Sequence, residues 1–319
     1  MDFPRRTLIA LLLGASPAVA AGSLQQKADE AVERKEMFVA GQDGWRFLPA
    51  ELRFAAKLAA PDLAAQTEPA MEAIADFAEQ MKEADIQLVV MPVPPKVLLA
   101  GTAAGVSAEE LQKMRAGWET IMRELADRDV TVVDLLPDFT PAQHEPFCRR
   151  DTHWSGRGIA LAVERLQPKL AAAGVAVAGA AVAGDTWTKQ TINGDLGGEP
   201  EEIELNMQRL EADPVAMKKS PVLLLGDSHV LVFHHGGDLH TTGAGLPDQL
   251  GAVLGSMPDV LGMRGSGATP ARNSLRRRAK ADESYLPSKK IIVWCFAGRE
   301  FTEAVDWKKF PIVKKAGTD

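Results

Sequence analysis

Cysteine, tyrosine and long apolar runs are scarce in this chain, and each scarcity excludes something. Cys148 and Cys295 are the only cysteines, so at most one disulfide can form. In an oxidising compartment the two could pair, and two free buried thiols are the alternative. Neither cysteine lies near the N-terminus, which argues against a lipid-anchored lipoprotein. With the single tyrosine Tyr285, aromatic contacts to a sugar would fall to tryptophan, and Trp154 is the candidate, with a core role as its alternative. No stretch beyond the N-terminus is apolar for long enough to span a bilayer. Positive charge is also in deficit, with 36 Lys and Arg against 43 Asp and Glu for a net charge of −7. An acidic chain is a poor candidate for binding nucleic acid. There is no internal repeat and no linker that divides the chain.

The N-terminus is informative by itself. Arg5 and Arg6 precede a short apolar run over residues 8–13, and Ala18-Val19-Ala20 offers small residues for cleavage. Residues 1–20 therefore read as a secretory signal peptide cut before Ala21, and Arg5-Arg6-Thr7-Leu8-Ile9 resembles a twin-arginine signal weakly. An uncleaved anchor is the alternative, which the shortness of the run disfavours. The remainder, residues 21–319, is expected to form one domain.

Apolar spacing predicts helices over 66–85, 107–128 and 155–173, the last with Ser155 as its N-cap. Short helices are expected at 246–254 and 270–280. Strands are expected at 86–90, ended by Pro92, Pro94 and Pro95, and at 130–135, 222–225, 259–262 and 290–296. Residues 174–220 show no regular pattern. Short apolar runs separated by helices predict an α/β fold: a three-layer sandwich whose central, mainly parallel sheet carries helices on both faces. In such sheets the chemistry lies beyond the carboxyl ends of the strands.

Two segments point to chemistry. Gly226-Asp227-Ser228-His229 follows the apolar run 222–225, which reads as a buried strand ending in a turn that presents a serine. Asp151-Thr152-His153-Trp154 supplies an acid and an imidazole two residues apart. A serine hydroxyl is a poor nucleophile at neutral pH, so it needs a base, and the base needs an orienting acid. Each segment has a plainer reading: an Asp-Ser helix cap for the first, a structural histidine beside a helix for the second. Their joint presence favours a Ser-His-Asp set made of Ser228, His153 and Asp151. The Ser228 N–H is the expected first oxyanion donor. The stretch Gly265-Ser266-Gly267 is a candidate for the second, through Gly267, unless it is a plain loop. Lys96 and Arg299 both follow strands; Lys96 would sit at the site rim or on the surface, and Arg299 would serve the site or pair with an acid.

His229, His234, His235, Asp238 and His240 cluster after the serine. They read better as a solvated loop flanking the site than as a divalent-metal site, and no metal or other cofactor is assigned. His229 is a rival base, but adjacent residues point apart, so His153 is preferred. The basic run Arg272, Arg276, Arg277, Arg278 and Lys280 reads either as a contact for an anionic polymer or as a solvated helix face.

Together these segments resemble the SGNH hydrolase-like domain of the alginate O-acetyltransferase AlgX/AlgJ family. Agreement extends, in order, over Gly41-Gln42-Asp43-Gly44-Trp45 with Glu51-Leu52-Arg53, over Pro92-Val93-Pro94-Pro95-Lys96 and over Val132-Val133-Asp134-Leu135-Leu136-Pro137. It continues through the two segments above to Gly245-Leu246-Pro247-Asp248-Gln249-Leu250 and Trp294-Cys295-Phe296-Ala297-Gly298-Arg299-Glu300. The aspartate-histidine segment upstream of the serine is the most specific part, since ordinary SGNH hydrolases carry that pair near the C-terminus. The resemblance implies a periplasmic enzyme that moves acetyl groups onto an exopolysaccharide acceptor. It also implies a membrane-bound O-acyltransferase partner that delivers the acetyl groups. Ser228 would carry the acetyl as an ester, His153 would be base and then acid, and Asp151 would orient His153. His229 departs from the pattern, in which an apolar or aromatic residue is expected. The chain leaves no room for the carbohydrate-binding module of AlgX and in that respect is more similar to AlgJ. Two other readings keep the same residues: a secreted carbohydrate esterase that uses water as acceptor, and a non-catalytic polysaccharide-binding scaffold.

Overall fold

Apolar runs this short can bury both of their faces only by lying side by side beneath helices, and that arrangement is what the chain adopts. The structure is a computed structural model that describes residues 23–139, 145–177, 187–211 and 213–313. The expected signal peptide lies outside the described residues. Among the described residues no helix is long and apolar enough to cross a membrane.

The chain begins with helix α1 (Leu24–Glu33), strands β1 (Val39–Ala40) and β2 (Arg46–Phe47), and helices α2 (Pro49–Leu58) and α3 (Leu63–Glu83). Strand β3 (Gln87–Val93), helix α4 (Ala108–Asp127), strand β4 (Thr131–Val132) and helix α5 (Gly156–Ala172) follow. Then come strands β5 (Trp187–Ile192) and β6 (Glu201–Asn206), helix α6 (Pro214–Lys219), strand β7 (Val222–Gly226) and helix α7 (Ser228–Leu231). The last elements are α8 (Leu246–Leu254), β8 (Asp259–Gly262), α9 (Thr269–Ala281), β9 (Ile291–Ala297) and α10 (Glu300–Glu303).

The central sheet has the order β4-β3-β9-β7-β8, and every pair is parallel. Alternate residues point to opposite faces, so each strand feeds two cores. Leu88 and Val90 of β3, Leu223 and Leu225 of β7, and Ile292, Trp294 and Phe296 of β9 pack beneath α2, α3, α4 and α9. Val89, Met91 and Val93, with Leu224, Val293 and Cys295, pack beneath α5 and α8. This is the expected three-layer α/β sandwich. Each large apolar side chain buried in it stabilises the fold by about 1.5–3 kcal/mol.

Four of the expectations change for a local reason. Strand β3 runs through Pro92 to Val93 instead of ending before the prolines. The Val90 carbonyl accepts the Val133 N–H, so it faces β4. Pro92 faces the same way two residues on, past the end of β4, where its missing N–H interrupts no ladder. Strand β4 is only two residues long because Asp134 turns the chain away from the sheet, accepting from Trp118 Nε1 at 2.9 Å and from the Leu136 N–H at 3.0 Å. The irregular stretch 174–220 contains the antiparallel hairpin β5–β6. Helix α9 carries no continuous basic face: Arg272 is buried against Trp294, Trp307 and Phe310, and Arg278 pairs with Asp259 at 2.9 Å. Neither reading of the basic run therefore holds for Arg272 or Arg278, and only Arg277 and Lys280 are exposed. Cys148 and Cys295 are both free and buried, so the pairing considered for them does not occur.

Candidate active site

Ser228 owes its position to the end of β7. Gly226 lies so close to the Cys295 carbonyl of β9 that no side chain would fit there. The buried carboxylate of Asp227 then locks the turn, accepting from the Ala297 N–H at 2.7 Å and from the His229 N–H at 2.8 Å. Asp227 is thus the helix cap of the plainer reading, and the same cap presents Ser228 half-exposed as the first residue of α7. At that position the Ser228 N–H has no acceptor within its own helix.

His153 arrives from the opposite side, on the loop before α5. An isolated bridge pairs Phe147 with Trp154, and Ser155 caps α5 by accepting the Gly158 N–H at 3.3 Å. Between them Asp151 accepts the His153 N–H at 3.0 Å and faces His153 Nδ1 at 2.6 Å. His153 Nε2 lies 2.8 Å from Ser228 Oγ. A carboxylate only accepts, so the proton sits on Nδ1, and Nε2 is left to accept from the serine hydroxyl. That alignment can draw a proton off Ser228 and hold it on a ring whose charge Asp151 balances.

Asp151 is fully buried and receives two further donors on its second oxygen: the Asp195 N–H at 2.9 Å and His240 Nε2 at 2.8 Å. Burial pushes its carboxyl up, but the bonds from His153 and His240 and the charge of His153 outweigh it and hold Asp151 well below the usual carboxylate range. Asp227 behaves alike: burial raises it, while His229, Arg299 and the Ala297 N–H bring it far below.

The remaining expected residues are placed as follows. Lys96 is neither at the rim nor on the surface but buried, its Nζ donating to the Asp151 carbonyl at 2.8 Å and reaching those of Cys148 and Arg149 at 3.4 Å. Its own backbone N–H donates to the buried Glu51 carboxylate. Burial lowers the Lys96 ammonium against the pull of Glu51 and Asp151, and burial raises Glu51 against the pull of Lys96 and Arg299. Lys96 therefore fastens the loop that carries Asp151. Trp154 is fully buried and packs edge-on against His229, which leaves it no face for a sugar. Arg299 is half-buried beyond β9, where its charge acts on Asp227 and His229. Gly267 packs against Asp227 and Phe296, and its carbonyl accepts Trp294 Nε1 at 2.7 Å, so this stretch borders the serine turn.

The histidine cluster separates into individual pairs. His229 turns to Asp227 (3.0 Å), His234 to Asp248 (3.0 Å) and His240 to Asp151, and only His235 is exposed. Among the described residues the side chains of the cluster do not converge on one point, and only its tip at His235 and Asp238 is solvated. His229 is set aside as the base because Oγ is bonded to His153 and its own Nδ1 is committed to Asp227. Burial lowers the His229 imidazole against the pull of Asp227. Asp151, His153 and Asp195 place donor atoms within 4.8 Å of one another, but protein donors occupy them: Thr152 N–H and Oγ bond Asp195 at 2.7 and 2.6 Å. His240 stood in the sequence as one of a histidine group. Asp195 lies in the stretch 174–220 that shows no regular pattern and Glu51 in the motif Glu51-Leu52-Arg53; neither is legible as a neighbour of the site, because their contacts span 44 and 45 residues of chain.

Comparison with known proteins gives a family and a fold. The family model described as SGNH hydrolase-like domain, acetyltransferase AlgX, matches residues 38–238. The chain is similar to the O-acetyltransferase domain of Pseudomonas putida AlgJ at 19% identity and a TM-score of 0.59, over 84% of this chain and 93% of that one. It is similar to Pseudomonas aeruginosa AlgX at 15% identity and a TM-score of 0.58, over 92% of this chain and 70% of that one. No curated protein sequence matches it.

Proposed function

The chain belongs to the SGNH hydrolase-like acetyltransferase AlgX family, and from that premise we propose that it transfers acetyl groups to hydroxyls of an alginate-like exopolysaccharide in the periplasm. Residues 1–20 act as the export signal, and a membrane-bound O-acyltransferase supplies the acetyl groups. The observation that carries the reading is the aligned set Asp151, His153 and Ser228, with contacts of 2.6 and 2.8 Å.

Ser228 Oγ attacks the carbonyl carbon of the donor acetyl group while His153 Nε2 takes the hydroxyl proton. The resulting oxyanion is met by the Ser228 N–H, and a donor of this kind lowers the barrier by about 3–4 kcal/mol. Collapse breaks the bond to the donor's leaving oxygen, which receives the proton from His153 and leaves acetyl-Ser228. A sugar hydroxyl then gives its proton to His153 and attacks the acetyl carbon, and the proton returns to Ser228 Oγ as the ester moves to the sugar. Asp151 keeps Nδ1–H aimed and offsets the imidazolium charge in both halves.

Incubation with 4-nitrophenyl acetate, with and without oligouronate, tests acceptor choice. Acetylated oligouronate that disappears in Ser228→Ala is expected. Release of acetate at the same rate with and without glycan, and no acetylated glycan, would replace transfer by hydrolysis.

A further inference from the structure

His240 reaches the site from the loop that follows the nucleophile, 89 residues from Asp151 in sequence. Its placement is built with some care. His240 itself has φ 71°, a backbone conformation that side-chain-bearing residues rarely adopt. Phe233, also at positive φ (58°), stacks on its ring at 5.3 Å. The loop closes on itself through Phe233 N–H to the Leu239 carbonyl at 3.0 Å and Ala244 N–H to the Phe233 carbonyl at 2.9 Å. Arg264 ties its tip down through Asp238 at 2.7 Å. The outcome is one bond: His240 Nε2 to the Asp151 oxygen that His153 does not use. A histidine that merely filled space would need neither the strained backbone nor that aim.

We propose that His240 is a positioning residue for acyl transfer. Its Nε2–H fixes the second oxygen of Asp151, so that the first stays directed at His153 Nδ1, and it takes up part of the carboxylate's charge. Asp151 then has one histidine on each oxygen, one working and one holding. The inference rests on the acetyl-transfer reading for its consequence in catalysis, but not for its geometry. Other charged or titratable groups face this pair from each surrounding element. Lys96 after β3 bonds the Asp151 carbonyl, the Asp195 carboxylate of the β5–β6 connection lies 3.9 Å from His153 Nδ1, and His229 of α7 packs against the His153 ring at 5.0 Å. None of them donates to the second Asp151 oxygen from a side chain; His240 alone among the described residues does.

The sign of the effect follows. A donor removed from Asp151 leaves more negative charge facing His153, which favours the protonated ring. In His240→Leu the pH at which His153 takes its second proton is expected to rise by about one unit, read by ring NMR of the full chain. The acid limb of kcat/KM for 4-nitrophenyl acetate should move up with it. His240→Gln places an amide N–H near the lost Nε2–H and is expected to leave both in place. An unmoved His153 titration in a folded His240→Leu protein overturns the proposal. If His240→Leu fails to fold by circular dichroism, His240→Gln against the shorter His240→Asn decides it: equal titrations overturn the proposal, and a raised midpoint in Asn alone supports it. A shifted ring titration in a chain whose wild type turns over no ester leaves the positioning role standing and sinks acetyl transfer instead.

Discussion

Removing the Lys96 ammonium should damage both the stability of the chain and the alignment of Asp151 and His153 with Ser228. Lys96→Met keeps most of the aliphatic stem, so the loss is electrostatic and not mainly one of packing. Nζ holds the Asp151 carbonyl at 2.8 Å and lies 3.4 Å from those of Cys148 and Arg149. Without it these carbonyls lose their shared donor, and Glu51 stays buried without one of the two positive charges that offset it, Arg299 being the other. Leaving buried polar groups without their donor costs about 1–3 kcal/mol, with the upper end expected for a charged donor. At about 2 °C per kcal/mol for a chain of this size, the melting temperature should fall by roughly 4–6 °C. The loop bearing Asp151 and His153 should loosen as well, so kcat for 4-nitrophenyl acetate should fall more than KM rises. Thermal unfolding, with kinetics measured well below the transition, reads both. Adding Glu51→Leu to Lys96→Met removes the stranded carboxyl, so the double variant should lose less than the two single losses added together. A Lys96→Met protein that melts within about 1 °C of wild type would refute the reasoning, since surface changes produce effects that small.

Three other outcomes are expected. Gly194→Ala drives a methyl into the Arg150 carbonyl, which should cost about 1–3 kcal/mol and pull the Asp195 N–H away from Asp151; unchanged stability and unchanged kcat in that variant would argue against the close approach. Trp154→Phe should lose less than about 1.5 kcal/mol and keep its turnover, because among the described residues the indole N–H has no hydrogen-bond partner to forfeit and packing is largely conserved; a collapse of activity would assign Trp154 a direct role. Stability should fall as the pH drops through the ordinary carboxylate range and below it, since Asp227 and Asp151 bind fewer protons folded than unfolded. Glu51, raised by burial, works in the opposite direction. Urea unfolding followed down the pH scale should show a shallower acid decline in Asp227→Asn than in wild type.

How much of this was readable in the chain depended on distance along it. The serine turn was legible because the strand, glycine and cap are contiguous, and Asp151 with His153 because they are two residues apart. The parallel sheet was legible from its apolar runs. The hairpin β5–β6 was not, because only Ile192, Ile203, Leu205 and the polar Asn206 of it are buried and the alternation is weak. Adjacency in sequence misled most over the histidines. His229, His234 and His240 look like one group, yet the glycine-rich loop sends each to a different carboxylate. Lys96 looked like a strand-end lysine for a similar reason, since its three carbonyl partners lie more than fifty residues away.

The central claim is that Ser228 carries the acetyl group. Peptide mass mapping after a brief pulse of acetyl ester tests it most directly. The account predicts one acetyl on Ser228, absent in Ser228→Ala, long-lived in His153→Ala if it forms there, and moved onto the sugar when oligouronate is added. Acetyl found on another residue, together with wild-type turnover by Ser228→Ala, would contradict it.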